Sequence, residues 1–166
     1  MRYWNATGLG VEVTLKLLLM GTGEFARPTF RALVEGPHQV VGLVTQPDRG
    51  GAGQHDHCHP LESIKSECIA RGIAVLQPET VNSPESIAAI SDLSPDLAVV
   101  AAYGQILRPE LIAVPRLGAV NLHASLLPRH RGATPIHHAI LSGDTRTGVS
   151  LFQIEAAVDT GPVLGM

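Results

Sequence analysis

The sequence predicts an α/β protein with a mostly parallel, doubly wound sheet. Short apolar runs alternate along the chain with longer stretches in which apolar residues recur every three or four positions, and glycine or proline separates most of these segments. This alternation is typical of βαβ units, whose strands are buried on both faces by helices. With 166 residues, 45% of them hydrophobic, the chain has the size of one compact domain.

The first part of this pattern contains two buried strands separated by a helix. Residues 15–20 are apolar apart from one lysine and lead into a Gly21-Thr22-Gly23 turn. Helical spacing of the apolar residues predicts a helix over residues 24–35, which the Gly36-Pro37 pair ends. The next apolar run predicts a second strand over residues 40–45.

The middle of the chain begins with an abrupt change in composition. Residues 46–60 are rich in Gly, Asp, Gln and His and carry no periodic apolar residues, which predicts a long loop. Beyond this loop the pattern predicts a helix over 61–71, a strand over 73–76, a helix over 84–91 and a strand over 96–101.

The last part of the chain continues the alternation and then stops. We expect a strand over 118–123, a helix over 134–141 and a strand over 148–154, followed by a final short apolar run. Because this run is unfinished at Met166, we expect a domain truncated at its C-terminus. Residues 15–166 thus predict an incomplete Rossmann-like domain, and residues 1–14 an extension outside its pattern.

Bulk properties predict a soluble, cytoplasmic protein. A formal net charge of −3 supplies no basic field of the kind that draws proteins to phosphate backbones. Cys58 and Cys68 are too few for a disulfide framework, although they could pair. The N-terminal segment lacks the apolar core of a secretory signal, and no run reaches the roughly 18 apolar residues of a membrane span.

Two polar residues near the end of the strand predicted over 118–123 are candidates for chemistry. Asn121 and His123 are two positions apart, so their side chains emerge on the same face of the sheet. The strand end is where open α/β sheets commonly bind ligands. An amide and an imidazole placed together can donate hydrogen bonds to an oxygen that acquires negative charge.

A histidine in this role needs an orienting partner. Asp159 is the best-placed carboxylate by topology, and Asp144 and Glu155 are the alternatives. Spacing alone also fits a structural interpretation, in which Asn121 caps a turn, His123 is a hydrogen-bonded core residue and Asp159 shapes its loop.

The most specific signal is a segment that resembles the long catalytic signature of folate-dependent formyltransferases. It is Asn121-Leu-His123-Ala-Ser125-Leu-Leu-Pro128-Arg-His-Arg131-Gly132-Ala-Thr-Pro135-Ile. The likeness runs from about residue 15 to the C-terminus and includes Gln46-Pro47-Asp48-Arg49, Ala102-Tyr103-Gly104-Gln105-Ile106-Leu107, Gly143-Asp144 and Val158-Asp159-Thr160-Gly161. Arg-Gly-x-x-Pro-Ile and Gln-Pro-Asp-Arg are more similar to the methionyl-tRNA formyltransferases than to the glycinamide ribonucleotide or sugar formyltransferases.

This resemblance implies transfer of the formyl group of 10-formyltetrahydrofolate to the α-amino group of methionine on initiator methionyl-tRNA. It further implies that Asn121 and protonated His123 stabilise the tetrahedral oxyanion, while Asp159 holds His123 and helps to relay protons. No metal ion is expected. The resemblance also implies a separate C-terminal tRNA-binding domain, which these 166 residues lack.

The resemblance assigns binding residues as well. The tetrahydrofolate site is expected to include Ser125, Leu126, Leu127, Pro128, Tyr103, Gly104, Gln105, Ile106 and Leu107. Contacts to the tRNA acceptor are expected from Arg49 and Arg131. We expect a monomer that binds folate and tRNA and has no membrane association.

Other functions stay open at this point. The hydrolase domain of formyltetrahydrofolate dehydrogenase also carries a Pro-Arg-His-Arg-Gly-like run, so a formyltetrahydrofolate hydrolase or another amine formyltransferase is an alternative. A truncated folate-binding module is a second. Family members usually carry basic residues after Gln-Pro-Asp-Arg, whereas here Gly50-Gly51-Ala52-Gly53-Gln54 follows Arg49.

Two further patterns indicate other ligands less well. Gly21-x-Gly23-x-x-Ala26 resembles a dinucleotide-binding turn, but Val44-Thr45-Gln46 stands where the ribose-binding acidic residue is needed. The histidines between His55 and His59 match no compact zinc-site spacing, and we interpret them as part of the loop.

Overall fold

The computed structural model describes residues 2–4, 10–48 and 62–166. Nine strands and five helices lie in these ranges. They are β1 (Arg2–Trp4), β2 (Gly10–Glu12), β3 (Lys16–Gly21), α1 (Arg27–Val34), β4 (Gln39–Val44), α2 (Glu62–Ala70), β5 (Ala74–Leu76), α3 (Pro84–Asp92), β6 (Leu97–Ala101), α4 (Pro109–Ile112), β7 (Ala119–His123), α5 (Pro135–Leu141), β8 (Ser150–Gln153) and β9 (Val163–Gly165).

Seven of the described strands form one Rossmann-like sheet in the order β5-β4-β3-β6-β7-β8-β9. Neighbours from β5 to β7 are parallel, whereas β8 pairs antiparallel with both β7 and β9. The chain runs outward from β3 to β5 and then returns to β6 on the other side of β3. This reversal creates the crevice at the carboxyl ends of the strands where such sheets bind ligands. The predicted mostly parallel α/β sheet is confirmed.

Helices cover both faces of the sheet, as a doubly wound arrangement requires. Leu17 and Leu19 of β3 pack in one core with residues of α1 and α2. Leu18 and Met20 point the other way and pack in a second core with residues of α3 and α4. All four side chains are buried, which explains why β3 is a continuous apolar run rather than an alternating one.

Several element boundaries differ from the predicted ones for local reasons. Helix α1 begins at Arg27 rather than at residue 24, because residues 24–26 form a turn and Pro28 lies in the first helical turn. The one-turn helix α4 was not predicted, since four residues carry no periodic signal. The run of residues 163–165 is an edge strand paired with β8, and β1 and β2 form a separate antiparallel pair.

The buried residues include one cysteine. Cys68 lies in α2 within the core and carries a free thiol, and burial raises the pKa of this thiol to about 11. Cys58 lies outside the described residues, as do Arg49 and the histidines between His55 and His59. No helix in the described part of the chain is long and apolar enough to cross a membrane.

Gly21, at the end of β3, lies where the packing leaves no room for a side chain. A Cβ atom there would overlap the carbonyl oxygen of Ala101 and come within 2.8 Å of the Phe30 ring. We expect Gly21→Ala to lower the free energy of unfolding by about 1–3 kcal/mol, because the core must shift to accept the methyl group. Urea denaturation measures this change.

Gly165→Ala is the matched control, because within the described residues nothing lies within 4 Å of its added methyl group. If Gly21→Ala unfolded at the same urea concentration as Gly165→Ala, this would contradict the claim that β3, β6 and α1 pack too closely at Gly21 to accept a methyl group.

Candidate active site

A cavity of about 580 Å³ opens at the carboxyl ends of β6 and β7. Its wall comes from the loop after β6, the end of β7, the loop that leads into α5 and the segment after β8. Such a volume lies within the range of small-molecule and cofactor sites, roughly 300–1,000 Å³. Asn121, His123 and Asp159 all line it, so the structure brings these three predicted residues together.

Strand β7 presents Asn121 and His123 on one face. Asn121 is opposite Val100 of β6 and Phe152 of β8, and His123 is opposite Ser150. His123 is only 6% exposed, and its ring meets the Phe152 ring edge to face with centroids 6.4 Å apart. The apolar contact with Phe152 excludes water from one side of the imidazole and limits its rotation.

Hydrogen bonding defines the protonation of one ring nitrogen of His123. Its Nε2 lies 2.8 Å from the backbone carbonyl oxygen of His130, and a carbonyl can only accept, so Nε2 carries a proton and donates. Its Nδ1 lies 3.5 Å from Oδ2 of Asp159. The ring therefore has an acceptor close to Nε2 and a carboxylate oxygen near Nδ1.

Asp159 is held in a tight turn after β8. Its backbone is in the left-handed region with φ of 51°, a conformation that aspartate tolerates better than most residues. Its Oδ2 accepts a hydrogen bond of 2.8 Å from the backbone N–H of Gly132. Two residues on, Gly161 lies so close to β8 that any Cβ would collide with the carbonyl oxygen of Gln153.

The two alternative carboxylates have other positions. Glu155 also lines the cavity but is exposed. Asp144 has a largely buried side chain that pairs with Arg129 and His130. Among the described residues, Asp159 is the carboxylate placed beside the ring of His123.

Residues 125–128, which were expected to contact folate, lie in the loop between β7 and α5. Ser125 is fully buried and its Oγ donates to the carbonyl oxygen of Arg129 at 2.6 Å. Ser150 Oγ donates to the carbonyl oxygen of Ser125 at 2.7 Å and accepts from the N–H of Leu127 at 3.0 Å. In the described part of the chain, the cavity wall does not include residues 125–128, so their contact with folate stays a prediction.

The predicted 103–107 segment lies in the cavity wall. Tyr103 is 2% exposed, its hydroxyl has no hydrogen-bond partner among the described residues, and burial raises its pKa to about 12. Gln46 Nε2 donates to the carbonyl oxygen of Tyr103 at 2.9 Å, and the N–H of Val81 donates to Oε1 of Gln105 at 2.9 Å. The loop is thus braced by the segment after β4 and by the loop between β5 and α3.

The Gln46-Pro47-Asp48 segment has a bracing role that the sequence did not predict. Gln77 Nε2 donates to the carbonyl oxygen of Gln46 at 2.9 Å and to Oδ1 of Asp48 at 3.0 Å. Lys65 forms an ion pair with Asp48. These bonds tie the end of β4 to α2 and to the end of β5.

Arg131 is exposed beside Gly132, and its contact with tRNA stays a prediction.

Comparison with known proteins identifies the family of this chain. The family model described as formyl transferase matches residues 15–165. The chain belongs to the formyl transferase family. The match covers the sheet from β3 onward and every described residue of the cavity wall.

Relatives of this formyl transferase family member include bacterial proteins named methionyl-tRNA formyltransferase. The protein of Geobacter metallireducens is 48% identical over 151 residues, covering 90% of this chain and 48% of the relative. That of Xanthomonas euvesicatoria is 51% identical over 150 residues, with coverage of 90% and 48%. The chain therefore spans about half the length of the curated relatives it matches.

Solved structures of the same fold have other substrates in their names. Phosphoribosylglycinamide formyltransferase from Bacillus halodurans superposes with a TM-score of 0.69 at 25% identity, covering 90% of this chain and 77% of that one. Glycinamide ribonucleotide transformylase 1 from Symbiobacterium toebii has a TM-score of 0.70 at 20% identity, with coverage of 93% and 73%. The second likeness shows the fold alone.

The buried hydroxyl of Ser150 predicts a measurable contribution to stability. Ser150→Ala leaves the N–H of Leu127 and the carbonyl oxygen of Ser125 without this partner in a buried place. We expect the free energy of unfolding to fall by about 1–3 kcal/mol. Ser142→Ala, which removes an exposed hydroxyl at the end of α5, is the control. Equal thermal midpoints for the two variants would contradict the bracing role.

Proposed function

We propose that this chain transfers the formyl group of 10-formyltetrahydrofolate to the α-amino group of methionine on initiator methionyl-tRNA. The main support is that Asn121, His123 and Asp159 line one cavity. The chain is also 48% and 51% identical to two proteins named methionyl-tRNA formyltransferase. The family match supports formyl transfer, and the names of these relatives favour methionyl-tRNA as the acceptor.

The proposed reaction exchanges one C–N bond for another. The neutral amine attacks the formyl carbon, and the carbonyl oxygen becomes an oxyanion. The bond from the formyl carbon to the folate nitrogen then breaks, and the proton lost by the amine passes to that nitrogen through water. Asn121 and His123 supply the polarisation of the carbonyl, so the mechanism invokes no metal ion.

The geometry of His123 favours its Nδ1 as the donor to the oxyanion. Nε2 is held at 2.8 Å by the carbonyl of His130, whereas Nδ1 lies 3.5 Å from Asp159. That second distance is too long for a strong hydrogen bond, yet it lets the carboxylate stabilise positive charge on the ring. A proton on Nδ1 is therefore available to a substrate oxygen, together with the amide of Asn121.

The proposed substrates fit distinct parts of the site. Folate would occupy the cavity against the loop of residues 103–107, and the methionyl end of the tRNA would approach from its open side. Arg131, exposed beside the cavity wall, and Arg49 are the proposed contacts to the acceptor RNA. We propose a cytoplasmic enzyme that acts as a monomer.

Separating three reactions tests this function. The chain is incubated with 10-formyltetrahydrofolate and either methionyl-tRNA, unacylated tRNA or buffer alone, and both free tetrahydrofolate and formylmethionyl-tRNA are measured. We expect both products only with methionyl-tRNA. Release of tetrahydrofolate in buffer alone would instead identify a hydrolase, and folate binding without any release would identify a binding module.

Removing the proposed oxyanion donors should affect the chemical step. We expect His123→Ala and Asn121→Ala each to lower kcat on the order of 100-fold or more, because each removes one hydrogen-bond donor to the developing charge. The KM for folate should change little. Steady-state kinetics at saturating methionyl-tRNA measure both constants.

Asp92→Ala is the control for these two variants, because it removes an exposed carboxylate at the end of α3, outside the cavity wall. Wild-type kcat in both His123→Ala and Asn121→Ala would overturn the assignment of the site.

A further inference from the structure

We propose that His130 and Asp144 are positioning residues that hold both His123 and Asp159 in their working geometry through the backbone of residues 130–132. This inference rests on the proposed function, since it concerns the same site. Among the described residues, neither side chain forms part of the wall that the substrate would touch. They act through the backbone carbonyl of His130 and the backbone N–H of Gly132.

The backbone of His130 is held in an unfavourable conformation. Its φ of 52° lies in the left-handed region, which residues other than glycine adopt only at an energetic cost. Such residues persist where their surroundings fix them. Here the ring Nε2 donates to Oδ2 of Asp144 at 2.7 Å, and the ring stacks on that of His138 with centroids 6.3 Å apart and planes 9° apart.

Asp144 is itself a fixed anchor. Its side chain is 8% exposed, and its second oxygen, Oδ1, accepts a hydrogen bond of 2.6 Å from Arg129. Its backbone N–H donates to the carbonyl of Ala139, which ties it to the end of α5. The hydrogen bond from His130, followed by the charge of Arg129, lowers the pKa of Asp144, so this carboxylate is ionised at neutral pH.

The anchored segment then contacts both ionisable residues of the site. The carbonyl oxygen of His130 accepts from Nε2 of His123 at 2.8 Å. Two residues later, the N–H of Gly132 donates to Oδ2 of Asp159 at 2.8 Å. If His130 left its left-handed conformation, the directions of this carbonyl and this N–H would change together. The imidazole would lose its orientation, and the carboxylate would lose the hydrogen bond from the N–H of Gly132.

Two substitutions at Asp144 separate positioning from simple stabilisation of the fold. Asp144→Ala removes both acceptors, so it releases His130 and Arg129. Asp144→Asn has almost the same shape but one acceptor oxygen, so it can hold His130 or Arg129 but not both. A positioning role predicts a graded response at His123, smaller for Asn than for Ala.

Nitrogen-15 NMR of the histidine rings in the whole chain measures this response without substrate. The ring signals of His123 are assigned by their loss in His123→Gln. We expect the Nε2 proton of His123 to exchange with solvent at least about 10-fold faster in Asp144→Ala than in wild type, because its acceptor is no longer fixed. Asp144→Asn should give a smaller increase, and the control Asp92→Ala should give none.

Kinetics add a second readout where the chain is active. Asp144→Ala should lower kcat at least about 10-fold while leaving the KM for folate near its wild-type value, since the anchor does not touch the cavity.

Unchanged His123 ring signals and exchange in both Asp144 variants would overturn the positioning role. If Asp144→Ala does not fold, Asp144→Asn decides the question by the same signals. The ring measurement needs no turnover. An inactive wild-type chain would therefore contradict the proposed function, while the NMR data would still decide the positioning role.

Discussion

A carbonyl oxygen accepts hydrogen bonds but cannot donate them, and this restriction organises the site around His123. The bond to the carbonyl of His130 places a proton on Nε2 and turns Nδ1 towards Asp159 and the cavity. The same short segment, residues 130–132, also supplies the N–H that Asp159 accepts. The orientation of His123, the position of Asp159 and the entry into α5 therefore depend on one backbone conformation, and the buried hydroxyls of Ser125 and Ser150 hold the residues that precede it.

The strands of the sheet could be predicted because burial on both faces leaves a strong local pattern. Residues 17–20 of β3 and all five residues of β6 are apolar, and β4 is apolar except at Gln39 and Gly42. Boundaries were less predictable where a local bond competes with periodicity, as at the turn before Arg27. Helix α4 is too short for any period to show, and the pairing of β9 with β8 depends on contacts between distant parts of the chain.

The site divides in the same way. The shared face of Asn121 and His123 follows from the two-residue period of a strand, and topology favoured Asp159 over its rivals. The conformation of His130 could not be predicted, because a positive φ at a histidine depends on Asp144 and on the stacking with His138. The burial of Ser125 and its hydrogen bond to the carbonyl of Arg129 could not be predicted either, since a buried serine and an exposed one have the same local sequence.

The reversed direction of β8 sets where Asp159 lies. The parallel half of the sheet is built from successive crossover units. Asp159 lies beyond β8, in the segment that turns back towards β9, so it reaches His123 only when β8 has paired. The placement of Asp159 beside His123 therefore depends on the antiparallel pairing of β8 with β7 and β9, in addition to the crossover units that form the parallel half of the sheet.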